Sequence, residues 1–490
     1  LNAVFVSATS FTVSGDQTSI FVVNRKVKCD CGVDDYKYGT IYSSSYGAPN
    51  TTVTLKPTSD ALTSNLTAVE WSSVMPASCP FHDHLDILEI MKAAKNFGFE
   101  TESFTLVKKA IHTITNLAKE ANWTRMSMST AQGGATLDNA YQGATFDGRY
   151  IYFVPYSSDT FIRFDTQGTF TNSSDWQKMS MSTAQGGATL DVAYAGTTFD
   201  GRYVYFVPYN SDTFVRFDTQ GTFTNSSDWQ QMSMSTAQGS ATFNSAYFGA
   251  TFDGRYVYFV PNDSLSFVRF DTQGTFTNSS DWQGMSVSTA QGSARLQDGY
   301  QNAVFDGRYV YFVPFISITF VRFDTQGTFT NVSDWQRMST STAHGGMVEE
   351  EVCRSAAFDG RYVYFAPYAA ATFVRFDTQG TFTNSSDWQQ MSMSTAQGGT
   401  ALGDAYDGMT FDGRYVYFTP KSSDTFVKFD TQGTFTNASD WQQMSMSTAQ
   451  GGTTLNSAYI DATFDGRYIY FVPMNADTFV RFAGMQTRGW

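Results

Sequence analysis

From Trp123 onward the chain repeats itself with a period of 53 residues, without one insertion or deletion. The Asp of Phe-Asp-Gly-Arg-Tyr falls at Asp147, Asp200, Asp253, Asp306, Asp359, Asp412 and Asp465. A tryptophan keeps the same step at Trp123, Trp176, Trp229, Trp282, Trp335, Trp388 and Trp441. A unit this short buries its apolar face by stacking on its neighbours, so the fold must be made of equivalent pieces in sequence.

Turn chemistry separates four strands in each unit. "ATF-DG-RYVYF" reads as two strands joined by Asp-Gly, the pair that accepts the positive φ of a type I′ hairpin. "RYVYFVP" alternates and stops at its proline. "TFVRFDT" is closed by Asp-Thr-Gln-Gly, which suits a type I turn. "WQQMSMST" is the fourth strand. The residues before Phe-Asp-Gly are small ("GAT", "AGTT", "NAV", "SAA"), as an innermost strand near a crowded axis requires. The expectation is a mainly β chain folded as a seven-bladed β-propeller of four-stranded blades. The array opens with a copy of the outer strand, residues 123–130, and ends on a copy of the third, Thr478–Phe482. The last blade therefore borrows its outer strand from the start of the array, which closes the ring and leaves no open edge.

The run "GATFDGRYVYFVPYNSDTFVRFDTQGTF" resembles the repeats of NHL-type propellers, a likeness that extends over 123–482 and implies fold rather than function. Residues 10–70, with "FTVSGDQT", "YGTI" and "TTVTL", resemble β-rich connector modules of phage tail fibres and other virion proteins. "CDCGVDDYK" departs from that pattern. The domains expected are an N-terminal β module (1–82, with a possible assembly strand at 1–11), a helical linker (83–121, apolar residues at helical spacing) and the propeller (122–490). The chain begins at Leu1 without a basic leader, so no signal segment is expected to be retained.

The net charge of −14 disfavours nucleic acid and anionic membrane surfaces as partners. No apolar run approaches the roughly 20 residues of a membrane-spanning helix. Phosphate loops, nucleophile elbows and zinc-protease helices are absent from the sequence. His82 and His84, near Cys79, lack a further evident ligand, and Asp-Gly-Arg recurring seven times reads as a structural turn. No cofactor is expected; the "DTQGTFTNSSD" loop offers oxygens to Ca²⁺ but not the evenly spaced carboxylates of a calcium loop. Cys29 or Cys31 bridged to Cys79, or all three as free thiols, both remain open.

Asn-x-Ser/Thr occurs at Asn50, Asn65, Asn122, Asn172, Asn225, Asn262, Asn278, Asn331, Asn384 and Asn437. Six of them, Asn172, Asn225, Asn278, Asn331, Asn384 and Asn437, hold one position of the repeat. On a secretory route they would carry covalent N-glycans; otherwise they are turn residues. The copies differ most in the loops of the other face. Asp159, Asp212, Asp424 and Asp477 give way to Leu265, Ile318 and Ala371 in three successive blades, beside Phe315, Ile316, Ala369 and Ala370. That apolar sector is the candidate partner surface, with drift between copies as the alternative.

These features point to a non-enzymatic structural or adhesive subunit of an extracellular fibre, virion tail or cell-surface assembly. It would self-associate into a homo-oligomer or filament and contact a cell-surface glycan or receptor. A lectin-like propeller using Tyr247, Phe248 and Tyr300 is the first alternative. An enzyme with a site in the central channel is the second; it would need polar residues converging there, and the small inner strands supply few.

Overall fold

The structure, a computed structural model, describes residues 1–71 (except 19, 22–25, 35 and 57–58), 117 and 120–483 (except 136, 189, 240–243, 294–297, 347–350, 401–402 and 452–456). The chain divides into two compact units, Leu1–Cys79 and Pro80–Trp490. The helical linker expected over 83–121 lies outside the described residues except at 117 and 120–121, as do His82, His84 and Cys79.

The first unit is one antiparallel sheet of β1 (Ala3–Ser7), β2 (Ser10–Ser14), β3 (Lys26–Asp30), β4 (Tyr36–Gly47), β5 (Asn50–Leu55) and β6 (Ala68–Trp71), in the order β1-β2-β5-β4-β3-β6. Alternate residues point inward: Phe11 and Val13, Val27 and Cys29, Val53 and Leu55. The sheet curls until its two edges meet, with Ala3 N donating to Thr67 O at 3.1 Å and Val69 N to Leu1 O at 2.8 Å. The N-terminal run expected as a possible assembly strand pairs with β2 along one edge, and only its first three residues meet the β6 end of the sheet. Cys29 and Cys31 are buried free thiols, and burial, then the neighbouring Cys31, pushes the Cys29 thiol up to about 12.

The second unit is a seven-bladed propeller. Blade one runs outward through Tyr141–Phe146, Tyr150–Pro155, Thr160–Asp165 and Trp176–Ser180, and the next five follow the same plan. Blade seven has Tyr459–Phe464, Tyr468–Pro473 and Thr478–Ala483, and its outer strand is Trp123–Ser127. Phe482 stands opposite Trp123, and Thr478 opposite Ser127. Side chains reinforce the closure: Arg125 donates to the carbonyls of Ala449 (3.0 Å) and Thr448 (2.9 Å) beside blade six.

Two local features differ from the sequence reading. The Asp-Gly hairpin is a three-residue connection in which only the glycine has positive φ (Gly148, 101°), so it is not a type I′ turn. The Asp147 carboxylate stabilises this geometry by accepting from the amides of Arg149 (2.7 Å) and Tyr150 (2.6 Å). The outer strand ends three residues sooner than expected. After Ser180 the chain forms a one-turn helix, Met181–Gln185, closed by Gly186 at φ 69°; the glycine supplies the left-handed cap and Met181 is buried.

Apolar packing lies between blades. Trp229 of blade two meets Phe161 of blade one (ring centroids 5.1 Å) and stacks on Phe206 of its own blade (5.5 Å), while its Nε1 donates to Phe223 O at 2.9 Å. At the seam, Trp123 likewise meets Phe426 (4.9 Å) and Phe482 (5.0 Å). A polar relay crosses blades one to five. In blade two the Tyr205 hydroxyl donates to Asp200 (2.7 Å), Arg216 Nη1 donates to that hydroxyl (3.1 Å), and Arg216 Nε donates to Gln230 (2.9 Å). The repeated Asp-Gly-Arg is thus a structural device. Asp200 anchors the relay, and the exposed Arg202 pairs with Asp218 at 2.7 Å.

Around the axis the inner strands nearly touch. A Cβ on Gly143 would lie 2.9 Å from Ala195 O, and one on Gly249 would lie 2.6 Å from Gln301 O. Blades four, five and seven carry Asn302, Ser355 and Asp461 at this position, so the axis is not seven-fold symmetric.

Candidate functional site: the mouth of the central channel

Strand directions give the disc two unlike faces. One carries the Asp-Gly-Arg turns and the Asn-bearing loops, tied together by pairs such as Arg149–Asp165 (2.7 Å). The other carries the loops that vary between copies. There a rim of non-glycine residues has positive φ in every blade: Asn139, Val192, Ser245, Asp298, Glu351, Asp404 and Ser457, at 49–64°. Such backbone is costly for a β-branched residue such as Val192, and it clusters where a site is held open.

Just inside this rim, the second residue of each inner strand is Gln142, Ala195, Phe248, Gln301, Arg354, Asp407 or Ile460. A small cavity of about 50 Å³ lies between them. Arg354 Nη1 donates to Asp407 at 3.0 Å, and the guanidinium sits 4.1 Å over the Tyr368 ring and 4.5 Å over that of Phe315. The Tyr368 hydroxyl accepts from Lys421 Nζ. Arg354 Nε and Gln301 Oε1 are buried without a hydrogen-bond partner among the described residues. Burial pushes the Asp407 carboxyl up against the pull of Arg354 and Lys421, and burial, then Arg354, lowers the Lys421 ammonium. The Asp461 carboxylate accepts from Ala144 N at 3.3 Å, and burial raises it to about 7. Removing either partner of the buried Arg354–Asp407 pair would strand a charge, at a cost of about 3–5 kcal/mol.

The sequence reading missed this cluster. It took the inner strands as supplying few polar groups, because it examined the small residues next to Phe-Asp-Gly and not those three positions earlier. Aligning the repeats at that column exposes it: six residue types occupy seven places.

The predicted partner residues separate. Leu265 (47%) and Ile318 (63%) are exposed, as is Ala371, while Ile316, Ala369 and Ala370 are half-buried. Phe315 does not belong to that surface: it is 4% exposed, because it follows the strand-ending Pro314 inward to pack on Tyr368 at 5.4 Å. In other blades the same loop position is a carboxylate bound to its neighbour, as Asp159 accepting from the Thr160 hydroxyl at 2.7 Å. Tyr247 and Tyr300 are fully buried between blades, so they cannot face a sugar, whereas Phe248 lines the axis.

Asn172, Asn225, Asn278, Asn331, Asn384 and Asn437 are exposed, and each begins a short 3-10 turn by accepting the amide two residues on. Asn50 is exposed, Asn122 is half-buried, and Asn65 donates to Asp34 at 2.7 Å. Asn262 is a correction. It is 1% exposed and its Nδ2 donates to Asp298 at 2.6 Å, so folded protein offers it to no glycan. The oxygens proposed for Ca²⁺ are engaged internally, Asp165 with Arg149 and Asp175 with the Thr169 amide. Among the described residues no group of three or more potential metal ligands assembles, and no helix is long and apolar enough to cross a membrane. In blade five's distinctive loop, His344 Nε2 lies 3.9 Å from the Cys353 sulfur, and burial lowers the imidazole to about 4 while it raises the thiol. That pair is neutral and enclosed, which suits packing and not nucleophilic attack.

No protein-family model matches the chain, and no curated protein matches it. Among solved structures it is similar to virginiamycin B lyase from Staphylococcus aureus (12% identity, TM-score 0.49, 74% of this chain and 98% of that one). It is also similar to the extracellular domain of a hybrid two-component system from B. thetaiotaomicron (10% identity, TM-score 0.51, 75% of this chain and 43% of that one). A third is the Swd1 propeller domain from Myceliophteria thermophila (8% identity, TM-score 0.47, 74% and 99%). The chain is a β-propeller, and at these identities the likeness speaks to fold alone.

Proposed function

We propose that the protein is a non-enzymatic structural or adhesive subunit of an extracellular assembly, with the propeller as a contact platform. One observation carries the reading: the copies agree in their cores, and diverge most at the loops and axis of a single face. The opposite face presents the six exposed asparagines and, if glycosylated, is shielded, which leaves the divergent face for contact. There Leu265 and Ile318 form an apolar sector suited to a second copy of the chain, giving a homo-oligomer or filament.

Electron microscopy and light scattering on the full chain test this. Wild-type protein should form assemblies, and Leu265→Asp with Ile318→Asp should yield single discs that melt at the wild-type temperature. Wild-type protein that stays monomeric at high concentration, or double-variant protein that assembles normally, would overturn the reading. The polar cluster at the axis favours a second activity on the same face, the binding of a small ligand.

A further inference from the structure

We infer that the mouth of the central channel binds a hydroxylated carboxylate of single-ring size, the chemistry of a uronic acid. The inference does not depend on whether the face assembles.

The cluster has more donors than acceptors. A guanidinium offers five N–H groups and an ammonium three. Among the described residues Arg354 makes one side-chain bond, to Asp407, and Lys421 makes one, to the Tyr368 hydroxyl. The two largely buried cations lie beside the buried Asp407 carboxylate, with Glu351 also near both and Asp404 near Lys421, yet among the described residues Arg354 Nε has no hydrogen-bond partner. Buried donors are normally satisfied, so an arrangement with spare ones is matched by a ligand that brings acceptors and negative charge. A carboxylate presents two oxygens in the geometry a guanidinium prefers. The cavity of about 50 Å³ between the inner strands, lined by Arg354, Asp407 and Gln301, has room for such a headgroup.

The ring would lie above it. Tyr156 and Tyr209 are 5.7 Å apart, Tyr209 and Phe248 5.9 Å, and Arg354 lies 5.9 Å from the Phe248 ring, so aromatic surface leads to the cation. Tyr156 and Tyr209 are half-buried, and the apolar face of a sugar packs on the exposed part of such rings. On the rim, Asp298, Glu351 and Asp404 come from three successive blades at equivalent positions. Carboxylates there would repel a plain anion, but they accept from hydroxyls. An acidic group below and hydroxyl donors above is the combination that suits both layers. The orphaned Gln301 Oε1 adds one more acceptor for a ligand hydroxyl.

Titration calorimetry on the full chain at neutral pH and low salt tests the inference, with glucuronate, glucose and a glucuronate-terminated oligosaccharide as probes. Glucuronate should bind at least about tenfold tighter than glucose, since only it can satisfy the cations. A free-acid preference over the oligosaccharide identifies a metabolite source, and the reverse identifies a glycan terminus; both support the site. Arg354→Gln should lose binding, and Lys421→Gln, at a position 9% exposed, covers the chance that the first variant misfolds. Ile318→Asp should bind as wild type. Equal affinity for glucuronate and glucose, no binding of either, or wild-type affinity in folded Lys421→Gln would overturn the proposal.

Discussion

Lys428 stands opposite Gln442 in blade six, where the equivalent pair in five other blades is an arginine bonded to a glutamine. In those blades Nε donates to the glutamine oxygen at 2.9 Å, whereas Gln442 Oε1 is buried with no partner. Lys428→Arg should restore the relay and stabilise the protein by about 1–3 kcal/mol, the worth of a charged hydrogen bond. Burial holds the Lys428 ammonium at about 7, against 10.5 for a free lysine. Between those values the unfolded chain keeps a proton that the folded one has lost, so this residue makes stability rise with pH across that window. Arginine does not titrate there. The advantage of the variant in thermal unfolding should therefore be larger at pH 7 than at pH 10, and an equal advantage at both would refute the assignment.

The crowded axis predicts a contrast between two glycines. Gly249→Ala places a methyl 2.6 Å from Gln301 O and 3.0 Å from Asn302 Cα, both backbone atoms that cannot step aside. It should cost about 1–3 kcal/mol. Gly187→Ala, with nothing within 4 Å of the new atom, should change stability by less than about 0.5 kcal/mol. Denaturant melts of the two variants check the ordering.

Ring closure makes Trp123 as important to the last blade as Trp176 is to the first. Trp123→Ala should destabilise the propeller by about 3–5 kcal/mol, because the side chain is buried against Phe426, Phe471 and Phe482. Removing residues 1–127 should leave Thr478–Ala483 as an open edge and produce aggregates in size-exclusion chromatography. A monomeric truncated disc would show that the strand is dispensable.

Glycan occupancy should follow exposure. In material from the natural source, peptide mapping should find sugar at Asn172, Asn225, Asn278, Asn331, Asn384 and Asn437 and none at Asn262, whose amide nitrogen is bonded to Asp298. Bare asparagine at all six would remove the secretory route from the account.

The architecture was legible because its determinants are local and repeated. Asp-Gly marks each first hairpin, Pro ends each second strand, and the mismatch between the first and last partial repeats announces Trp123–Ser127 as the closing strand. Phe315 and Asn262 were misread for one reason. Both follow the proline that ends a second strand, in loops of polar or variable sequence, and only the three-dimensional path shows that this residue turns toward the axis. The Arg354–Asp407 pair was illegible as a motif because its members lie 53 residues apart, on strands that meet only when the ring is closed.

The central claim is that the divergent face is the one that makes contact. Hydrogen exchange followed by mass spectrometry, on the chain in its native assembly and on the isolated disc, tests it most directly. Contact through that face should protect peptides spanning 262–268, 315–319 and 368–372 on assembly, with the turns at Asp147–Gly148 and the loops at Asn172 to Asn437 unchanged. Protection of the Asp-Gly-Arg turns, with the divergent loops still exchanging freely, would contradict it.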